Sequence, residues 1–224
     1  MRAFAVITGA SSGIGFQLAK QCVVNGLDVL VCAADLGITD AAVKLSHYAG
    51  SVSAVRADVA TRDGVARLYQ AICDAHRPVD ALLLNAGAGV GGAFVEATLE
   101  DELAMIELCC MHVVHLAKLV VPEMVARGCG RVAITGAAVS TSPSPYDTVH
   151  AATEAFVLSF GEGLRAELAG SGVTVAVIQP TADGRRAFAA IMASTRSKLD
   201  GVVNELLPDT LTSKSKSQRT ITKR

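Results

Sequence analysis

At 224 residues, 51% apolar and 18% charged, the chain is long enough to bury a sizeable core. A net charge of −1 gives no electrostatic case for nucleic acid or for an anionic membrane, so neither is an expected partner. With no tryptophan and only 4% aromatic residues, that core must be built from Ala, Val and Leu.

The chain opens on the stretch around which the rest is organised, Phe4 to Gly15 (FAVITGASSGIG). Phe4–Ile7 is a continuous apolar run bounded by turn residues, the pattern of a buried strand in a parallel sheet. Thr8–Gly15 follows as a glycine-rich turn, and Phe16–Val24 has helical periodicity. Strand, glycine turn and helix together present backbone N–H groups and a helix N-terminus to an anion. Gly9 suits the tight turn, Gly13 lets backbone approach a pyrophosphate, and Gly15 lets helix pack on strand. The spacing is G-x-x-x-G-x-G rather than G-x-G-x-x-G, and a plain strand-to-helix turn would look the same.

Strand and helix signals then alternate, which predicts a parallel sheet with helices on both faces. Further strands are predicted at Asp28–Ala33, Val52–Arg56, Asp80–Leu84, Val132–Thr135 and Val173–Ile178. Helices are predicted at Arg62–His76, with Thr61 or Asp63 as N-cap, at Leu99–Val125, and at Ala151–Leu168. Pro122 is expected to kink or divide the long central helix. Gly161 and Gly163 each weaken the last one by about 1 kcal/mol relative to Ala. Beyond Pro180, Ile191–Leu207 has helical character, and Thr210–Arg224 carries five basic residues and no acids among many Ser and Thr. A single domain over 1–207 with a disordered basic tail over 208–224 is the expected organisation.

Cys22, Cys32, Cys73, Cys109, Cys110 and Cys129 show neither C-x-x-C nor zinc-like spacing, and read as small buried hydrophobes in a reducing compartment. The N-terminus does not read as a signal peptide, and Ala81–Val95 is too short and too glycine-interrupted to cross a bilayer. Cytoplasm is the expected location. His112 and His115 stand three apart on a predicted helix, but without a third ligand they read as surface or interface residues, and no metal is expected.

Thr8–Gly15, Asp58–Val59 and Asn85–Ala86–Gly87, in that order and each at the carboxyl end of a predicted strand, resemble the short-chain dehydrogenase/reductase family from Arg2 to Phe188. The resemblance implies a Rossmann-type, doubly wound, three-layer α/β/α fold with strand order 3-2-1-4-5-6. Ile191–Leu207 could supply the family's further helix, whereas its seventh strand has no counterpart. It implies NAD or NADP as cofactor. Gly9, Ser11, Ser12, Gly13, Ile14 and Gly15 would hold the phosphates, Asp58 and Val59 the adenine, and Asn85, Ala86 and Gly87 would pack beside the cofactor. Asp58 has a plainer reading as a turn or cap residue. At the ribose-discriminating positions the chain has Ala33 and Ala34. Asp35, just beyond them, would repel a 2′-phosphate and favours NAD slightly. Pro180 keeps half of the family's P-G after strand six.

The resemblance also implies a carbonyl or alcohol substrate and an Asn-Ser-Tyr-Lys tetrad, in which Tyr is the acid/base and the Lys one helical turn on supplies a cation. Aligning Ala152–Phe160 with the helix that follows the family's Tyr-x-x-x-Lys motif, and Val121–Met124 with L-P-x-M, puts Cys109, Ala137, His150 and Glu154 at those four places. All four are changed. His150 with Glu154 forms a candidate His–Glu acid pair, whereas Ala137 cannot orient an oxyanion and Glu154 cannot supply the cation. Three readings therefore stand: a dinucleotide-binding protein without the usual chemistry, an oxidoreductase with a rearranged site around His150, and a remnant that binds nothing. The family resemblance implies a homodimer or homotetramer, and the first reading allows a heteromer with an active relative.

Overall fold

The computed structural model describes residues 2–87, 92–136 and 145–178. Among the described residues six parallel strands form one sheet in the order β3-β2-β1-β4-β5-β6, the order the family resemblance implies. They are β1 Phe4–Thr8, β2 Asp28–Ala33, β3 Val52–Arg56, β4 Ala81–Leu84, β5 Gly130–Thr135 and β6 Val173–Ile178.

Alternation along the central strands explains the three layers. Val6, Leu82, Val132 and Ile134 point to one face, where they join Leu68, Leu116, Val120 and Met124 in one apolar cluster. Ala5, Ile7, Leu83 and Ala133 point to the other, where they meet Leu18, Cys22, Ile38 and Leu45. All five residues of β1 and all four of β4 are buried, as strands covered on both sides require. The first face carries α3 (Arg62–Asp74), α5 (His112–Arg127) and α6 (Thr148–Glu167); the second carries α1 (Gly13–Val24) and α2 (Gly37–Leu45). The chain forms α4 at Leu99–Ile106.

Several elements depart from the sequence reading. Helix α2 was not foreseen: Leu36 at its N-cap position offers no capping side chain, and the oxygen that accepts the Gly37 amide comes from Asp35, one residue earlier. Pro122 does not divide the long helix: it lies on the exposed face of a continuous α5, so the carbonyl it leaves without a donor can turn to water. The break falls instead at a π-helical turn, Glu107–Met111, between α4 and α5. Within the 29-residue run Leu99–Arg127 an 18-residue window has a mean hydropathy of 1.7, enough by length and composition to cross a membrane, but half of that window is buried within the protein, as in a core helix. Thr61 caps α3 by accepting from Gly64 N at 3.0 Å, and Thr98 caps α4 by accepting from Asp101 N at 3.1 Å. Helix α6 begins at Thr148, before the expected Ala151, which brings His150 into its first turn. Gly161 has a packing reason: a Cβ there would sit 2.3 Å from Val177 Cγ2.

Cys22, Cys32 and Cys110 are buried as expected, whereas Cys73 and Cys129 are exposed and Cys109 is intermediate. Burial pushes the Cys22 and Cys32 thiols up to about 12, so both stay neutral. His112 corrects the sequence reading: it is 1% exposed, not a surface residue. One turn of helix turns its ring inward, and Nδ1 bonds the Leu108 carbonyl, leaving Nε2 buried without a partner. No group of three ligating side chains occurs among the described residues. Ala137, Pro180, the expected Ile191–Leu207 helix and the 208–224 tail lie outside the described residues, as does all of the chain beyond β6.

Candidate functional site

The carboxyl ends of β1, β4 and β5 are tied together by one side chain. Asn85, just past β4, donates from Nδ2 to the Thr8 and Gly9 carbonyls at 3.2 and 3.3 Å, and its Oδ1 accepts from Thr135 Oγ1 at 3.1 Å. The fully buried Thr8 returns the contact, its Oγ1 accepting the amides of Asn85 at 2.9 Å and Ala86 at 3.0 Å. Each group is a buried or half-buried polar atom with a partner, so the bracket is fixed rather than merely close.

The glycine loop is packed against this bracket. Gly9 has φ +67°, and a Cβ on it would lie 2.8 Å from Ala86 Cα. A Cβ on Gly15 would lie 2.1 Å from the Gly9 carbonyl oxygen and 2.5 Å from Asn85 Nδ2. Gly13 differs: it has φ +55° and nothing within 4 Å of its Cβ position, so its backbone borders open space. No side chain caps α1 at Ser12, and its first turn carries no acid, so the positive end of the helix is left for an external anion.

That open space is a cleft of about 320 Å³. Its floor is Gly9, Ser12–Gly15 and Asn85–Gly87; its far wall includes Cys109, Thr135, His150 and Glu154. The tertiary structure thus brings the phosphate-loop residues and the two candidate catalytic residues to one cavity. A dinucleotide fits the donor set, since the loop leaves unfilled the volume that a side chain at Gly13 would occupy.

His150 lies between two carboxylates. Its Nδ1 is 3.1 Å from Asp147 Oδ1 and its Nε2 is 3.5 Å from Glu154 Oε1. The Glu154 contact realises the pairing expected from the i,i+4 spacing. Asp147, at the N-cap position of α6, is a partner the sequence reading missed; an acid three residues before a histidine at a helix start is the signal that could have found it.

Ser11, Asp35, Asp58 and Val59 do not line the cleft but lie around the carboxyl ends of β2 and β3. Ser11 Oγ donates to Asp35 Oδ2 at 2.7 Å and Gly37 N donates to Oδ1 at 2.8 Å. The Ser11 bond leads in holding the Asp35 carboxyl below its ordinary range, with the Gly37 amide and Arg56 adding to it. Arg56, at the end of β3, donates from Nε to the Ala34 carbonyl at 3.0 Å, a cation at this corner that sequence reasoning did not single out. Asp58 accepts from Ala60 N at 3.0 Å and takes the Thr61 hydroxyl on its carbonyl, so its turn role is real. Val59 is buried.

Glycine loop, helix N-terminus and switch-point cleft define a Rossmann-type fold of the dinucleotide-binding class. The family model "short chain dehydrogenase" matches residues 3–193, and the chain belongs to that family. It is 33% identical over 177 residues to an uncharacterized short-chain type dehydrogenase/reductase, y4eK, of Sinorhizobium fredii, covering 79% of this chain and 68% of that one. It is 26% identical to the ketoacyl reductase HetN of Nostoc sp., covering 78% of this chain but only 61% of HetN, so it spans about three fifths of that relative's length. Among solved structures it resembles the L-sorbose reductase of Gluconobacter frateurii complexed with NADPH and L-sorbose, with a TM-score of 0.74 at 30% identity over 80% of this chain and 68% of that one.

Proposed function

We propose that this chain binds a nicotinamide dinucleotide across the cleft but does not carry out the family's conventional carbonyl–alcohol chemistry, and acts instead as a dinucleotide-dependent regulator or as a partner subunit of an active relative. The observation that carries this reading is the imidazole of His150 held between Asp147 and Glu154. Conventional chemistry wants a phenol as acid/base and a cation one turn on to lower its pKa. Here the two positions carry an imidazole and a carboxylate, and each ring nitrogen already faces a carboxylate oxygen.

In this reading Gly9, Ser11, Ser12, Gly13, Ile14 and Gly15 hold the pyrophosphate, Asp35 the adenosine ribose, and Asp58 with Val59 the adenine. Asn85, Ala86 and Gly87 pack beside the cofactor, and Pro180 belongs to the set on the family resemblance alone. The nicotinamide, when bound, supplies hydride-transfer chemistry. NAD is favoured over NADP, because the ionised Asp35 carboxylate just past β2 opposes a 2′-phosphate. Self-association is part of the proposal: Leu99, Leu103 and Ile106, at i, i+4 and i+7 of α4, and Phe156 of α6 stay exposed. A cytoplasmic location accompanies it.

The second reading, an oxidoreductase of small carbonyls or alcohols, rests on a different observation: His150 and Glu154 line the same cleft as the glycine loop. Titration calorimetry with NADH and NADPH, followed by turnover of ketones, aldehydes and secondary alcohols, separates the two. Binding without turnover supports the first reading. Turnover lost in His150→Phe overturns it in favour of the second.

A further inference from the structure

Charge is distributed unevenly along the cleft and its approaches. The corner at β2 and β3 pairs a carboxylate with a guanidinium, since the Arg56 charge is among the influences that lower Asp35. The end over β4, β5 and α6 has no such balance among the described residues. Among the described residues lining the cleft, the ionisable side chains are Cys109, His150 and Glu154, and none is Lys or Arg. Asp147 adds a second carboxylate 3.1 Å from the far side of the imidazole. Two carboxylates against one imidazole leave the described residues at this end with a net negative formal charge even with the ring protonated.

The topology fixes which part of a dinucleotide meets that field. The pyrophosphate belongs at the N-terminus of α1, at the switch point between β1 and β4. The adenosine half then lies toward the acid that follows β2, which is Asp35, and the nicotinamide half toward β4, β5 and α6. The two oxidation states differ there and nowhere else: the oxidised ring is a cation, while the reduced ring is neutral and carries the added hydride. We propose that the cleft discriminates between them, taking the oxidised dinucleotide in preference to the reduced one, with Glu154 as the residue that sets the preference.

This inference rests on the dinucleotide-binding reading above and adds the state of the ligand. The Glu154 side chain is only 18% exposed, so salt and solvent screen it less than a surface acid. A unit charge pair even about 10 Å apart, at an effective dielectric of about 20, is worth about tenfold in affinity. A protein built this way reports the redox balance of its ligand pool without consuming either form. Its low demand on catalytic groups then becomes intelligible, because binding selectivity needs a field and not a proton relay.

The test is titration calorimetry of the full chain with NAD⁺, NADH, NADP⁺ and NADPH, repeated on Glu154→Gln and Glu154→Lys, with circular dichroism to show that each variant is folded. The expected result is tighter binding of the oxidised member of whichever pair binds. That preference should fall about tenfold in Glu154→Gln and further, or invert, in Glu154→Lys. Tighter binding of the reduced form by the unmodified chain overturns the inference. So does an oxidised-to-reduced affinity ratio that stays within twofold across all three proteins, while the dinucleotide-binding reading survives. Failure of all four nucleotides to bind the unmodified chain overturns that reading, and this inference with it.

Discussion

Thr8 and Asn85 lock together in both directions: the Asn85 backbone amide donates to Thr8 Oγ1 at 2.9 Å while the Asn85 side-chain amide donates to the Thr8 carbonyl at 3.2 Å. The mutual bracket fixes the ends of β1 and β4 and leaves no room beside Gly15. Substituting Gly15→Ala should therefore cost about 3 kcal/mol of stability, the upper range for overpacking a rigid site, and urea unfolding measures it. Gly13→Ala should behave differently. Its Cβ enters open cleft, so the stability cost is only about 1 kcal/mol for a non-glycine residue at positive φ, yet pyrophosphate approach is blocked. Nucleotide binding by Gly13→Ala at the affinity of the unmodified chain would show that the loop is a structural turn and not a cradle.

The ribose corner predicts a second outcome. In Asp35→Asn the carboxylate that opposes a 2′-phosphate is gone, while Arg56 remains beside Ala34. The ratio of NADPH to NADH affinity should rise about tenfold, equivalent to about 1.4 kcal/mol. An unmodified chain that prefers NADPH by more than tenfold would show that Arg56, not Asp35, governs this corner.

Catalytic restoration supplies the third. His150→Tyr alone should yield no turnover, because the phenol would face Glu154 in place of a cation. Restoring Ala137→Ser, His150→Tyr and Glu154→Lys together should give weak carbonyl reduction above a Gly13→Ala control. Activity from the single variant equal to that of the triple would mean that the cation is dispensable in this cleft.

Buried His112 predicts a pH dependence of stability. Burial lowers it from 6.5 to about 4, against a smaller opposing effect of the Leu108 hydrogen bond. Between those values the unfolded chain binds the extra proton, so stability is full above about pH 6.5 and is lost as pH falls toward 4. At pH 5 the loss should be about 2 kcal/mol from this one group. Urea midpoints at pH 7.5 and pH 5 should converge in His112→Gln relative to the unmodified chain. An unchanged pH difference in the variant would assign the effect elsewhere.

Much of the fold is legible in the sequence because it depends on short-range pattern. Phe4–Ile7 and Ala81–Leu84 are apolar on both faces, and the glycines at 9 and 15 mark a backbone that side chains could not follow. Helix α2 is not legible, since it is short and its burial of Ile38, Ala41 and Leu45 exists only once β2 and β3 lie beneath it. The inward ring of His112 was equally hidden. The π-helical turn Glu107–Met111 inserts one residue into the helical count, which rotates every later side chain by about 100° from the face predicted from Leu99. The candidate site divides the same way. Residue identity alone placed His150 and Glu154 one turn apart on a helix, because i,i+4 spacing is local. That the helix starts early enough to bring Asp147 against the imidazole, and that His150 and Glu154 stand at the cleft holding Gly13, was decided by the packing of α6 against β5 and β6, which no local pattern encodes.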